Sequence, residues 1–240
     1  MEKRERDPRF DPVIVAAKRT AVGRAKRGAL ASARPEDYGA AIIKALLAEV
    51  PQISPEDIDD VIIGCAMPEG PQGLNLGRIV ALHAGLPVEV PAETVNRFCS
   101  SGLQTIVHGA QSIMSGMAEI VLAGGIESMS MVPMTGFKLT PNPTMAVEYP
   151  EVYINMGLTA ENVAEEFNVS REEQDAFAYQ SHMRAAAALK KDLFATEIVP
   201  FEVELVSPGE NGKPNMTQYV HKTDEGVRPD TTLEALAKLR

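Results

Sequence analysis

The sequence holds 240 residues, 45% of them hydrophobic and 23% charged, which supplies enough apolar surface for one large or two small globular domains. A net charge of −10 leaves no basic field to displace counterions from phosphates, so non-specific nucleic-acid binding is not expected, and a polyanionic ligand has to be met by locally placed cations. The longest apolar runs, such as residues 40–50, are interrupted by Lys44 and Glu49 and are too short to span a bilayer.

Residues 1–12 mix acids and bases without an apolar centre, unlike a signal or transit peptide, and read as a solvated tail. Residues 13–16 read as a strand, and Pro35 opens a helix whose inward positions are expected to be Ala41, Ile42, Ala45 and Leu46. A strand is predicted at 61–65, a helix near 76–84, an extended segment at 90–95, a helix after Cys99 and a strand at 120–123. Such alternation implies an α/β fold, a mostly parallel sheet covered by helices. Residues 131–150, with Pro133, Pro141, Pro143 and Pro150, read as a boundary. Beyond it the chain turns helical. Thr159 is the expected N-cap of one helix, Ser170 with Glu173 forms a capping box for a long helix towards Lys191, residues 197–205 are extended, and Thr231 with Glu234 repeats the capping pattern before Leu236.

Cys99 stands where the extended segment gives way to the helix, whose apolar positions Leu103, Ile106, Val107, Ala110, Ile113, Met114 and Met117 recur on one face. At a helix N-terminus the free N–H groups and the macrodipole favour a thiolate, although full activation needs a neighbouring base or cation as well. Position alone leaves open a cysteine that merely packs. Cys65, at the end of an apolar strand, reads as a small core residue. His83 and His108 suit structural or surface roles, and His182 is expected to be solvated. Gly124 and Gly125 lack nucleotide-fingerprint spacing and are read as close packing under the cysteine. No cluster has metal-ligand spacing, so no metal or redox cofactor is expected. Two cysteines make no disulfide framework and a reactive thiol needs a reducing compartment, so the expected location is the cytoplasm.

The segment NRFCSSGLQTI at 96–106, followed by AGGIESMSMVPM at 123–134, closely resembles the thiolases, and among them the degradative 3-ketoacyl-CoA thiolases more than the biosynthetic acetoacetyl-CoA type. GCAMPEG at 64–70, NMGLTAENVA at 155–164, SREEQDAFA at 170–178, EIVPF at 197–201 and DEGVRPDTTLEALAKLR at 224–240 extend the resemblance over nearly the whole chain. It implies a thiolase-like fold in which residues 13–130 form the first β-α repeat and 131–240 a mainly helical loop domain, with the second repeat absent. It implies further that Cys99 is the nucleophile of an acyltransferase that cleaves 3-ketoacyl-CoA with CoA, as in fatty acid β-oxidation. Met156 would line the substrate pocket and Arg228 would lie against the nucleotide of CoA, which is a substrate rather than a cofactor. Partners so implied are acyl-CoA and CoA, a second copy in a homodimer or tetramer, and a C-terminal thiolase half in cis or trans.

The family's Asn-Glu-Ala-Phe type segment, Gly-His-Pro segment and second cysteine in a glycine-rich loop do not occur here, and His83, His108, His182 and His221 match none of its catalytic positions. The isolated chain is therefore expected to be inactive and prone to associate. Asn155 stands where the biosynthetic enzymes carry a histidine, and Ala235 where the family has a CoA-touching serine. The alternatives are a biosynthetic acetoacetyl-CoA thiolase and a non-catalytic CoA- or partner-binding half. Ketoacyl-ACP synthases share the wider fold, but residues 156–228 resemble the thiolase insertion.

Overall fold

The first apolar strand to be covered on both sides is β2 (Asp60–Gly64), where Val61, Ile62 and Ile63 are all buried. In the computed structural model, which describes residues 11–208 and 214–239, β2 lies between β3 (Ala92–Val95) and β4 (Val121–Gly125) and runs parallel to both. A parallel sheet needs cover on both faces, and alternation along β2 divides the task. Val61 and Ile63 join a core with Tyr38, Ala40 and Ile43 of α1 (Pro35–Glu49) and Leu76, Val80 and Ala81 of α2 (Leu76–Ala84). On the other face Gly64 lies under the first turn of α3 (Ser101–Met114). β4 repeats the division: Leu122 packs on the first core, while Val121 and Ala123 face Gly109 of α3. The α/β class and the parallel sheet expected from the sequence are thus observed.

Local chemistry sets the helix ends. Pro35 opens α1 at a position whose N–H would have no helical partner, with Glu36 and Asp37 in the first turn. Asn75 caps α2, and Gly85, at φ 92°, closes it in the left-handed region that costs glycine nothing. The stripe of α1 that meets the core is Pro35, Tyr38, Gly39, Ala40 and Ile43. Ala41, Ile42, Ala45 and Leu46, expected inward, are only half-buried. Ile42 and Leu46 line a cavity of about 390 Å³ beside β4, which explains the partial cover.

The strand expected at 13–16 does not form. Val13, Ile14 and Val15 are exposed and join no ladder among the described residues. Pairing begins later, where β1 (Arg19–Thr20) runs parallel to β5 (Ile198–Val199). Two acids fix this segment. Asp224 accepts from both terminal nitrogens of Arg19, at 2.6 and 2.9 Å, and from the Val22 N–H at 2.7 Å. Glu225 accepts from the Arg24 and Ala29 N–H groups at 2.6 and 3.0 Å. Arg19 also reaches Glu197 at 2.7 Å, and buried His221 places Nε2 3.1 Å from the Ala21 carbonyl oxygen. The antiparallel hairpin of β6 (Phe201–Pro208) and β7 (Pro214–His221) joins the same body, with the Phe201 ring edge-on to Tyr38.

Contacts gather residues 11–137 and 197–225 into one unit and residues 138–196 and 226–239 into another, and residues 1–10 of the expected tail lie outside the described residues. This division differs from the expected one in assigning the hairpin to the first unit. The second unit contains α4 (Pro143–Glu148), α5 (Met156–Glu166), α6 (Arg171–Lys190) and α7 (Leu233–Leu236). The capping box of Ser170 and Glu173 is present at the start of α6. Two caps shift from their expected positions. Asn155, not Thr159, caps α5, and Thr232, not Thr231, caps α7, since each is the residue in extended conformation whose side-chain oxygen reaches the N–H three residues on. Arg171 closes the opposite end by donating to the carbonyl oxygens of Leu236 and Leu239.

The Arg19 hydrogen bonds hold the Asp224 carboxyl below its ordinary 3.8, against the opposing pull of burial. A depressed carboxylate contributes stability that is present above its unfolded value and is lost as the pH falls through the folded one. Asp224→Asn is therefore expected to lower unfolding stability by about 2 kcal/mol at neutral pH, with the difference shrinking below about pH 4. Denaturant titrations of both proteins across this range measure it.

Candidate active site

The candidate site grows from the end of β3. After Val95 the chain makes one tight turn, and α3 begins at Ser101. Phe98 occupies the turn at φ 48°, a left-handed conformation that costs a non-glycine residue roughly 1–2 kcal/mol and persists only where the surroundings hold it. Two main-chain hydrogen bonds, from Ser100 N–H to the Arg97 carbonyl oxygen at 3.1 Å and from Ser101 N–H to the Phe98 carbonyl oxygen at 3.0 Å, and three that use side chains do so. The Phe98 N–H donates to Asn96 Oδ1 at 2.8 Å, the Ser101 hydroxyl donates to the Phe98 carbonyl oxygen at 2.6 Å, and the Arg97 N–H donates to Ser101 Oγ at 2.9 Å. Asn96 in turn donates through Nδ2 to the Ala66 carbonyl oxygen at 3.0 Å, tying the turn to the loop after β2.

Cys99 follows Phe98 and is exposed. It lies one residue before the N-cap Ser100, so the cysteine stands just outside the helix rather than within its first turn. Among the described residues no imidazole or carboxylate hydrogen-bonds its sulfur, and a base must come from elsewhere if the thiol is to react by general-base activation.

The first turn of α3 approaches the sheet backbone to backbone. A methyl group on Gly64 would lie 2.5 Å from the Ser101 carbonyl carbon, and one on Gly125 would lie 3.2 Å from the Gly102 Cα. Thr105 completes the seat, its hydroxyl 3.0 Å from the Gly124 carbonyl oxygen. Gly125 thus lies against the cysteine-bearing helix, as the sequence reading held; the methyl position of Gly124 points instead to Ile63. The side of α3 buried on the sheet is Ser101, Thr105 and Gly109, and the larger apolar side, from Leu103 (66% exposed) to Met117 beyond the helix (84% exposed), points away from it.

Cys65 is buried, as expected, but within a polar cluster. Gln72 is fully buried and donates to Glu127 Oε1 at 2.7 Å and to the Met67 carbonyl oxygen at 2.8 Å, while its own oxygen accepts from the Ser128 N–H. Glu127 Oε2 accepts from the Ala66 N–H at 2.7 Å. Burial, aided by the Glu127 charge, pushes the Cys65 thiol up to about 11.

The other candidate residues lie in the second unit. Met156 is the first residue of α5 and 62% exposed, directly after the Asn155 cap, whose oxygen accepts from the Leu158 N–H at 2.9 Å. Asparagine at 155 therefore has a backbone reason of its own. Arg228 is exposed and its guanidinium makes no ion pair among the described residues, while its N–H donates to His182 Nδ1 at 3.2 Å. His182 is half-buried and engaged, not solvated. His83 lies 2.9 Å from Asp37 and His108 3.8 Å from Glu93, both at the surface. Ala235 supplies only a backbone N–H, to the Thr232 cap. Among the described residues no group of His, Cys, Asp or Glu is placed to hold a metal ion, and no helix is long and apolar enough to cross a membrane. Ser101 and Asn96 were not singled out as functional, although short polar residues beside a helix start are a readable capping signal.

The first unit is thus an α/β fold with a parallel sheet and an exposed cysteine on a left-handed turn before a helix. Residues 12–240 match the sequence profile of the thiolase N-terminal domain. A 3-ketoacyl-CoA thiolase of Bacillus subtilis (strain 168) is 52% identical over 96% of this chain and 59% of its own length. A beta-ketoadipyl-CoA thiolase of Acinetobacter baylyi is 45% identical, covering 95% of this chain and 58% of the relative. The peroxisomal 3-ketoacyl-CoA thiolase 1 of Arabidopsis thaliana is 40% identical over 96% of this chain and 51% of its own length. The chain belongs to the thiolase family, and it spans between half and three fifths of the length of these relatives.

Two outcomes follow from this geometry. Iodoacetamide at neutral pH is expected to label Cys99 and to leave Cys65 unmodified until denaturant is added, because Cys65 is both buried and held protonated; peptide mass spectrometry reads both sites. Gly64→Ala is expected to cost about 2 kcal/mol or more, since its methyl meets backbone that cannot rotate away; equilibrium unfolding measures the loss.

Proposed function

We propose that this chain carries the nucleophile of a 3-ketoacyl-CoA thiolase. The Cys99 thiolate attacks the 3-keto carbonyl carbon, forming a C–S bond. The bond between C2 and C3 then breaks, with its electron pair passing to the carbon of the departing acetyl-CoA, which takes up a proton. A second CoA thiol attacks the acyl-Cys99 thioester, frees the thiolate and leaves as an acyl-CoA shortened by two carbons. The observation that carries this reading is the presentation of exposed Cys99 at the strand-to-helix turn, in a chain of the thiolase family.

Carbon–carbon cleavage needs a base, an acid and oxyanion donors around the nucleophile. The backbone N–H of Cys99 serves as one donor in this proposal, and a C-terminal half, in cis or in trans, supplies the base, the acid and the remaining donors. The loss of one oxyanion donor costs about 10²–10³ in rate, so the proposal assigns little turnover to this chain alone. The outward apolar side of α3 and the edge of β4 that pairs with no strand among the described residues are the surfaces that such a half, or a second copy in a dimer or tetramer, would cover. Met156 lines the acyl pocket in this reading, and the free guanidinium of Arg228 suits the phosphates or adenine of CoA. No resident cofactor is needed, and the thiol requires a reducing compartment such as the cytoplasm.

A second substrate reading has its own support, because the Acinetobacter relative is named for beta-ketoadipyl-CoA. The test is uptake of an acetyl group from acetyl-CoA, read by intact mass, with this chain alone and with the C-terminal remainder of the Bacillus relative added. Uptake at Cys99 that Cys99→Ser abolishes is the expected result; no uptake even with the remainder present would favour a non-catalytic binding module. Turnover of the complemented protein with short and long 3-ketoacyl-CoAs and with beta-ketoadipyl-CoA then separates degradative, biosynthetic and dicarboxylate substrates.

A further inference from the structure

We infer that Ser101 is a positioning residue for Cys99: its buried hydroxyl clamps the turn on both sides of Phe98 and so fixes the direction in which the cysteine is presented. This deepens the proposed function, because it rests on Cys99 as the acyl acceptor. The geometry is compact. Ser101 Oγ uses its one proton on the Phe98 carbonyl oxygen at 2.6 Å and takes the Arg97 N–H at 2.9 Å, so the Asn96–Arg97 and Phe98–Cys99 peptide groups are held by one atom. Ser101 itself cannot drift. It is 4% exposed, and its backbone carbonyl carbon sits over the vacant methyl position of Gly64, while the next residue abuts Gly125. The clamp therefore refers the turn to the ends of β2 and β4.

The clamp matters because the backbone it holds is unfavourable by itself. Phe98 is neither glycine nor asparagine, and its side chain is 65% exposed, so packing does little to keep φ at 48°. Without the hydroxyl the residue is drawn back towards ordinary φ, and rotation there swings the following Cα–Sγ direction. The other holds are the Phe98 N–H donated to Asn96 at 2.8 Å and two main-chain bonds, Ser100 N–H to the Arg97 carbonyl oxygen at 3.1 Å and Ser101 N–H to the Phe98 carbonyl oxygen at 3.0 Å, and none of them restrains the Arg97 N–H as Ser101 Oγ does. A turn released in this way loses the near-attack placement of the sulfur, whereas acyl-CoA binding surfaces elsewhere are left intact.

Asparagine tolerates the left-handed region far better than phenylalanine, so Phe98→Asn should reduce the dependence of the turn on Ser101. Three proteins are compared with the unaltered chain: Ser101→Ala, the double variant Ser101→Ala with Phe98→Asn, and the remote core variant Ile43→Val as a control for general destabilisation. Two readouts are taken, amide hydrogen exchange of the peptide covering residues 96–101 and the rate of acetyl uptake at Cys99 in the complemented protein.

Ser101→Ala is expected to exchange about tenfold faster in this peptide and to take up acetyl about tenfold more slowly, with the half-saturating acetyl-CoA concentration unchanged. The double variant is expected to return to within about threefold on both readouts, and Ile43→Val to match the unaltered chain on both. The inference is overturned if folded Ser101→Ala matches the unaltered chain, or if the double variant stays as slow as the single one. Absence of acetyl uptake by the unaltered complemented protein would instead sink the reading of Cys99 as acyl acceptor, while the exchange rates still judge the clamp. Should Ser101→Ala fail to fold, Ser101→Gly and Asn96→Ala at the same turn carry the same comparison.

Discussion

The approach of two glycines to the first turn of α3 is the constraint on which the cysteine's position depends. With no side chain at Gly64 or Gly125, the helix settles until its backbone meets the ends of β2 and β4. Its start is then defined by main chain on main chain, the least adjustable contact a protein has. Everything that shapes the turn before it follows. Ser101 is fixed, so Phe98 can be held from Ser101; Phe98 is held, so Cys99 faces outward. Small residues at Thr105 and Gly109 continue the contact along the helix and keep it close to the sheet.

A second region is organised by charge instead. Asp224 and Glu225 gather the segment from Arg19 to Ala29 by accepting its N–H groups and its arginine, whereas the strand expected at 13–16 does not form. Extended segments without a paired neighbour need their donors satisfied by something, and two adjacent carboxylates provide it. The same unit buries Gln72 with every amide atom engaged, so that the loops after β2 and β4 are joined by hydrogen bonds where apolar contact would leave them free.

Much of this was legible in the sequence. The α2 boundaries, the central strands, the Ser170 capping box and the strand-to-helix setting of Cys99 are local signals, written by apolar spacing and by short polar residues at helix starts. The misreadings have a common source, which is that periodicity reports where large apolar residues lie and not what covers them. In α3 it marks Leu103, Ile106 and Val107, yet the sheet takes Ser101, Thr105 and Gly109. In α1 it marks Ile42 and Leu46, yet Ala40 and Ile43 are the better buried. Capping errors of four residues at Thr159 and one at Thr231 arose because several short polar side chains lie near a helix start and only backbone conformation decides among them. The partner strand β7 carried no clear alternation and was visible only once paired.

The inverted arrangement of α3 has a thermodynamic consequence. A helix that lays its small side on the sheet and its large side in water has most of its hydrophobic free energy still unrealised in the folded unit. Whatever surface comes to cover that side binds the folded chain and not the unfolded one, so by mass action the melting temperature of this unit is a function of that surface's concentration and not a fixed property of the chain. For any such surface, binding and folding of this unit form a single linked equilibrium.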